Sequence, residues 1–174
     1  MDINELVHAS QSGDMTSFIQ LLTQKQDTIY RIARTYTKNS YDAEDCISEA
    51  SIRAFDRIKQ LKNPEKFYVW YISILVNISR KQYKKVCRET EFIPNLHELT
   101  STDIAKNTNN SILVDDILQF LNKNERDVLI LRYLKDFKLE EIAHILGIPE
   151  GTIKSRLNRV TRKLKYGRFF YNET

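Results

Sequence analysis

The chain has 174 residues, with 27 Lys and Arg against 23 Asp and Glu, two Cys, four Gly and three Pro. That length suits one or two domains with modest cores, and so few turn-forming residues point away from an all-β protein and towards a helical one. No run approaches the roughly 18 apolar residues of a membrane span. The acidic start Met1-Asp-Ile-Asn-Glu lacks the basic-then-apolar order of a secretory signal. Cys46 and Cys87 have no companion at metal-ligand spacing, so neither a zinc site nor a disulfide framework is expected, and a reducing cytosol fits.

In chain order, Phe18, Leu21, Leu22, Ile29, Ala33 and Tyr36 recur at nearly helical spacing within a stretch from Asp14 to Lys38 that stops at Asn39-Ser40. Asp42 to Leu61 repeats the pattern through Ala43, Cys46, Ile47, Ala50, Ala54 and Ile58. Asn63-Pro64 breaks the chain and opens a helix from about Glu65 to Arg88. Its first half, Phe67-Tyr-Val-Trp-Tyr-Ile-Ser-Ile-Leu-Val, has almost no polar face, and a basic portion with Arg80, Lys81, Lys84 and Lys85 follows directly. One face (Phe67, Trp70, Tyr71, Ile74, Ile78) is expected in a core. Periodicity then fades across residues 89–110, where Pro94 and polar runs mark a linker. Helical segments return at Ile112 to Leu121, Glu125 to Leu134, Leu139 to Leu146 and Glu150 to about Tyr166. The expected architecture is all-α: two small helical domains, 1–88 and 111–174, joined by a flexible linker over 89–110.

Charge follows these divisions. Residues 1–57 carry nine acids and six bases, residues 58–88 one acid and eight bases, residues 89–121 six acids and one base, and residues 122–174 seven acids and twelve bases. Two basic blocks separated by an acidic one suit two polyanion contacts on one chain. A Lys-rich helix face that is merely solvated accounts for either block alone.

The segment from Leu139 through Leu157 has the requirements of a helix-turn-helix. A small residue, Ala143, permits close crossing. Gly147 stands where the chain leaves the first helix and a left-handed residue is needed. Ile142, Leu146, Ile148, Ile153 and Leu157 supply an apolar seam, and Pro149 opens the second helix with φ already set. On that second helix Ile153, Leu157, Val160 and Leu164 are expected to face inward. Lys154, Ser155, Asn158 and Arg159 are then placed to read base edges in a major groove, with Arg156, Arg162 and Lys163 on phosphates.

Three co-linear stretches carry a resemblance over nearly the whole chain: Asp42-Ala-Glu-Asp-Cys-Ile-Ser-Glu-Ala-Ser-Ile-Arg-Ala-Phe, then Phe67-Tyr-Val-Trp-Tyr-Ile-Ser-Ile-Leu-Val-Asn, then Asn124-Glu-Arg-Asp-Val-Leu through Gly151-Thr-Ile-Lys-Ser-Arg-Leu-Asn-Arg. Together they resemble the extracytoplasmic-function sigma factors of bacterial RNA polymerase. The resemblance implies a cytoplasmic, non-catalytic subunit without cofactor or metal. It would bind core RNA polymerase and promoter DNA, direct initiation and assist melting, and be sequestered by a membrane-associated anti-sigma factor. It implies that the helix from Asp42 to Phe55 docks on the coiled-coil clamp of the largest polymerase subunit, through Asp42, Asp45 and Glu49. Acids in a first turn also complement the helix dipole, a sufficient reason for Asp42, Glu44 and Asp45. At the −10 element the matching positions are Lys62, Asn63 and Lys66 in the loop and Asn77 on the helix, with Arg80, Lys81 and Lys84 on phosphates. Holding an opened strand calls for cations along the backbone and a pocket for an unstacked base. At the −35 element the matching positions are those of the second helix of the helix-turn-helix. The acidic linker would thread the polymerase near its active centre and RNA exit path.

Two rival readings differ in what they predict. A stand-alone helix-turn-helix regulator would bind duplex specifically without polymerase and tolerate loss of residues 42–88. An enzyme would need a glycine-rich phosphate loop or a metal-ligand cluster, whereas His8, His97 and His144 are scattered. Residues 167–174, with Phe169-Phe-Tyr, have no assigned role.

Overall fold

The computed structural model describes residues 2–37, 39–90, 121–135 and 137–166, with side chains throughout except at 83–90, 133–135 and 166. Among these residues every regular element is helical, and the chain divides into an N-terminal and a C-terminal unit. All but the edges of the expected linker, the helix expected at Ile112–Leu121 and the tail 167–174 lie outside the described residues.

The first helix, α1 (Ile3–Gln11), begins at a reciprocal capping box in which the Asp2 amide donates to Glu5 Oε2 at 3.0 Å. Gly13, at φ +103°, turns the chain, and Asp14 caps α2 (Met15–Thr23) by accepting from the Thr16 amide at 2.9 Å. Expected as one helical stretch, residues 14–38 form two helices. Lys25 leaves the helical region (φ −128°, ψ 23°) and α3 runs from Gln26 to Tyr36. No Gly or Pro marks this break. It lets Leu21 on α2 and Ile29, Ile32 and Ala33 on α3 all reach the core.

Asn39 caps α4 (Ser40–Arg57), accepting from the Asp42 amide at 2.8 Å. A 3-10 turn, Ile58–Gln60, extends α4, and a second, Pro64–Lys66, leads into α5 (Phe67–Thr90). The apolar character of α5 around its circumference is explained by its position among α3, α4 and the second 3-10 turn. Phe67, Val69, Tyr71, Ile72, Leu75, Val76 and Ile78 are all buried, whereas Trp70 and Ile74 are half-buried rather than core. Phe67 is the hub of an aromatic cluster, with ring centroids 6.1 Å from Phe18, 5.3 Å from Tyr68 and 6.1 Å from Tyr71. Tyr71 places its hydroxyl 3.1 Å from Ser51 Oγ, tying α5 to α4, and burial pushes the phenol pKa up. Cys46 is buried as well, and burial raises its thiol pKa.

The C-terminal unit contains α6 (Lys123–Lys135), α7 (Leu139–Leu146) and α8 (Glu150–Tyr166). Asn122 and Glu125 cap α6 reciprocally: the Asn122 amide donates to Glu125 Oε2 at 2.9 Å, and the Glu125 amide donates to Asn122 Oδ1 at 3.0 Å. α6 packs on α8 through a core that includes Val128, Leu131, Ile153 and Val160.

Candidate nucleic-acid interface

The turn between α7 and α8 has the geometry that its residues require. Gly147 takes φ +66°, and the Ile148 amide reaches back to the Ala143 carbonyl at 3.1 Å. That is the six-to-one bond of a Schellman closure, available cheaply only to a residue without a side chain. The Pro149 carbonyl then accepts from the Thr152 amide at 2.9 Å and from Ile153 at 3.3 Å, starting α8.

Burial sorts the residues of α8. Ile153 and Val160 are buried and Leu157 and Leu164 half-buried, whereas Lys154, Ser155, Asn158, Arg159, Arg162 and Lys165 are exposed. At 3.6 residues per turn these six share one side of the helix, so the four expected base readers stand together near its start. Lys154 pairs with Glu150 at 2.8 Å, and both side chains are half-exposed. A solvated pair of this kind contributes about 0–1 kcal/mol, so a phosphate or a base can displace Glu150.

Lys163 behaves differently from its neighbours. Expected at a phosphate, its Nζ instead donates to Glu125 Oε2 at 2.7 Å. Glu125 is only 2 % exposed while Lys163 is 44 % exposed. The cause is register: Lys163 lies two turns beyond half-buried Arg156 on the flank of the inward face, within reach of the α6 cap. Burial pushes the Glu125 carboxyl pKa up, but the bonds from Lys163 and the Asn122 amide outweigh it, and the carboxyl titrates below its ordinary value.

In the N-terminal unit, Lys62, Asn63 and Lys66 are exposed in the connection ahead of α5. Asn63 also caps the second 3-10 turn, accepting from the Glu65 amide at 3.0 Å. Along α5, Trp70, Ser73, Ile74, Asn77, Arg80 and Lys81 are half-buried or exposed and fall on one stripe, whereas half-buried Tyr68 and Gln82 lie off it. Asn77 and Lys81 are exposed and Arg80 is half-buried, while the Lys84 side chain lies outside the described residues. The indole of Trp70 thus shares the face of Asn77.

On α4, Asp45 and Glu49 are exposed. Glu49 pairs with Arg53 one turn on, and half-buried Asp42 is engaged at the helix cap with Asn39, whose side-chain amide donates to Asp42 Oδ2 at 3.3 Å. Two large apolar side chains, Tyr41 at 71 % and Ile52 at 66 % exposure, lie on the same stripe as Asp45.

Two family models match the chain, Sigma-70 region 2 over residues 21–88 and Sigma-70 region 4 over residues 117–166. SigV, an RNA polymerase sigma factor of Bacillus subtilis, is 32 % identical over 151 residues, covering 84 % of this chain and 88 % of that one. The chain is an extracytoplasmic-function sigma factor. SigW of the same organism, described as an ECF RNA polymerase sigma factor, is 26 % identical over 179 residues and covers 95 % of this chain and 96 % of its own. The fold agrees with the sigma factor RpoE of Bartonella quintana, solved with the anti-sigma factor NepR: TM-score 0.71 at 22 % identity, over 88 % of this chain and all of that one. CnrH, solved with the cytosolic domain of CnrY, gives TM-score 0.70 at 20 % identity over 94 % of this chain and 96 % of that one.

This sigma factor therefore directs promoter-specific initiation as a non-catalytic subunit of RNA polymerase, with α7 and α8 as the helix-turn-helix of region 4. A stand-alone regulator does not account for the region 2 match, which spans α3 to α5. Three side chains of region 2 were not singled out for a surface role by periodicity: Tyr41, Ile52 and Trp70. Ile52 carried a usable signal, since it is a large apolar residue off the Ala43, Ala50, Ala54 face of α4.

Proposed function

We propose that region 4 of this sigma factor reads the −35 element with Lys154, Ser155, Asn158 and Arg159, while Arg156 and Arg162 anchor flanking phosphates. The observation that carries this reading is the burial pattern of α8, in which all four base readers are exposed on one side near the helix start and opposite Ile153 and Val160. Lys163 has a structural task at Glu125 and adds to phosphate binding only if that pair opens.

Region 2 holds the −10 element and assists its melting. Lys62, Asn63 and Lys66 flank the opened strand, and Asn77 contacts an unstacked base beside the Trp70 indole. Arg80, Lys81 and Lys84 track phosphates. The aromatic face adds sequence-tolerant stacking of about 1–3 kcal/mol per base.

Core polymerase docks on the outer face of α4, where Asp45 and Glu49 supply charge and Tyr41 and Ile52 supply apolar anchors. Asp42 acts there through the cap of the helix. Exposed apolar side chains ringed by charge are the pattern of an interface hot spot. The protein works in the cytoplasm and is held inactive by an anti-sigma factor associated with the membrane. The solved relative RpoE in complex with the anti-sigma factor NepR supports an anti-sigma partner, and its place at the membrane is part of the proposal.

The test is transcription from a promoter library with reconstituted holoenzyme. Arg159→Ala costs about 1–3 kcal/mol at one −35 base and relaxes preference there. Equal losses on all promoters would show that Arg159 does not read bases.

A further inference from the structure

The loop assigned to the −10 element is held from below by a residue far from it in sequence. Gln11, the last residue of α1, is half-buried, and its Nε2 donates to two backbone carbonyls, Ile58 at 3.1 Å and Leu61 at 2.8 Å. These carbonyls lie where α4 and its 3-10 extension end; the Ile58 carbonyl also accepts from the Leu61 amide at 3.0 Å, so there Gln11 is a second donor. One amide nitrogen has two hydrogens, and both are used. The amide orientation is thereby set, because the carbonyl end could not bond two other carbonyls. Gln11 Oε1 lies 3.2 Å from His8 Nδ1, which must then carry the proton.

The clasp acts where the chain changes direction. Leu61 leaves the 3-10 turn with ψ 107°, its side chain buried, and the next two residues are exposed Lys62 and Asn63. Beyond them Asn63 accepts from Glu65, and its carbonyl accepts from the Lys66 amide at 3.1 Å. The exposed tip is thus pinned on one side by Gln11 and on the other by its own cap. α1 packs on both 3-10 turns, so the clasp couples the N-terminal helix to the loop.

We infer that Gln11 is a positioning residue for −10 recognition: it touches no DNA but fixes the backbone from which Lys62, Asn63 and Lys66 project. This rests on the −10 reading of that loop, and the experiment separates the two. Holoenzyme is assembled with wild-type factor, Gln11→Met, Gln11→Lys and, separately, Lys62→Ala and Asn63→Ala, and start-site choice is measured on paired −10 and −35 promoter libraries. Gln11→Met keeps the shape and removes both donors. It should lower discrimination among −10 variants about tenfold, the scale of one to two lost hydrogen bonds, and leave the −35 profile unchanged. Gln11→Lys returns a donor and should recover most of the −10 profile.

An unchanged −10 profile in Gln11→Met, together with altered profiles in the two loop variants, overturns the Gln11 role alone. Unchanged profiles in the loop variants overturn the −10 reading beneath it. Parallel loss at both elements in Gln11→Met marks a general folding defect and also overturns the role, unless Gln11→Lys folds and restores the −10 profile. A folded Gln11→Lys without that recovery counts against it.

Discussion

Replacing Lys163 with Met removes an ammonium and keeps the aliphatic stem that covers Glu125. The carboxylate, 2 % exposed, keeps its bond from the Asn122 amide but loses its charged donor. A hydrogen bond to a charged group is worth roughly 1.5–3 kcal/mol, and because the ammonium is partly solvated the cost falls to about 1–2 kcal/mol. The pH dependence has a definite sign. The Glu125 carboxyl titrates below its ordinary value when folded, so its stabilisation is full above the unfolded value and is lost as pH falls through the folded one. The gap between wild type and Lys163→Met should therefore narrow as pH falls below the ordinary carboxylate range, where the carboxyl becomes neutral in both. Hydrogen exchange of α6 and α8 amides reads this unit separately, since the single Trp, Trp70, reports on the other. Glu125→Gln keeps an acceptor for the Asn122 amide and loses the charge, so in a double-mutant cycle the two changes should be less than additive. Identical exchange in wild type and Lys163→Met at neutral pH, or a gap that widens towards acid, would refute the reasoning. The same pairing predicts that Lys163→Met changes the salt dependence of promoter binding less than Arg162→Ala, which should lower the log–log slope by about 0.9 for one phosphate.

Other consequences are direct. Gly147→Ala should destabilise the helix-turn-helix by about 1–2 kcal/mol, and because nothing lies within 4 Å of the added carbon the cost is backbone strain, measurable by thermal melting. Ile52→Asp should weaken core polymerase binding about tenfold or more in a competition assay while changing stability by no more than about 0.5 kcal/mol. Wild-type affinity in that variant would remove α4 from the docking interface. Asn77→Ala should flatten preference at one −10 position and spare −35 choice, and an unchanged −10 profile would remove Asn77 from the site. Phe67→Ala, at the hub of the aromatic cluster, should cost about 3–5 kcal/mol and unfold region 2, seen as loss of cooperative melting by Trp70 fluorescence.

Much of region 4 was legible in the residues because its signals are local. Gly147 and Pro149 punctuate, Ile153 and Val160 repeat with the helix, and the exposed cations follow from the same period, so α7 and α8 fall where periodicity put them. The partition of α5 was not legible: when nearly every residue from Phe67 to Val76 is apolar, periodicity has no contrast, and neighbouring helices decide that Val69 and Ile72 are buried while Trp70 and Ile74 are half-exposed. The break at Lys25 lacked Gly or Pro and arises from how α2 and α3 pack. Periodicity did not point to α1, whose apolar residues are too few to form a convincing repeat, although Asp2 and Glu5 stand at capping-box spacing.

What the amino-acid order determined alone is the helical class, the helix-turn-helix, the two basic blocks and the family, all of which depend on residues close together or in linear succession. What tertiary structure decided is pairing at a distance: Lys163 with Glu125, and Gln11 with the carbonyls of Ile58 and Leu61. A lysine on a helix flank and a glutamine at a helix end carry no mark of their partners. Their donors find acceptors 38 to 50 residues away only once packing has excluded water and brought those acceptors within bonding distance.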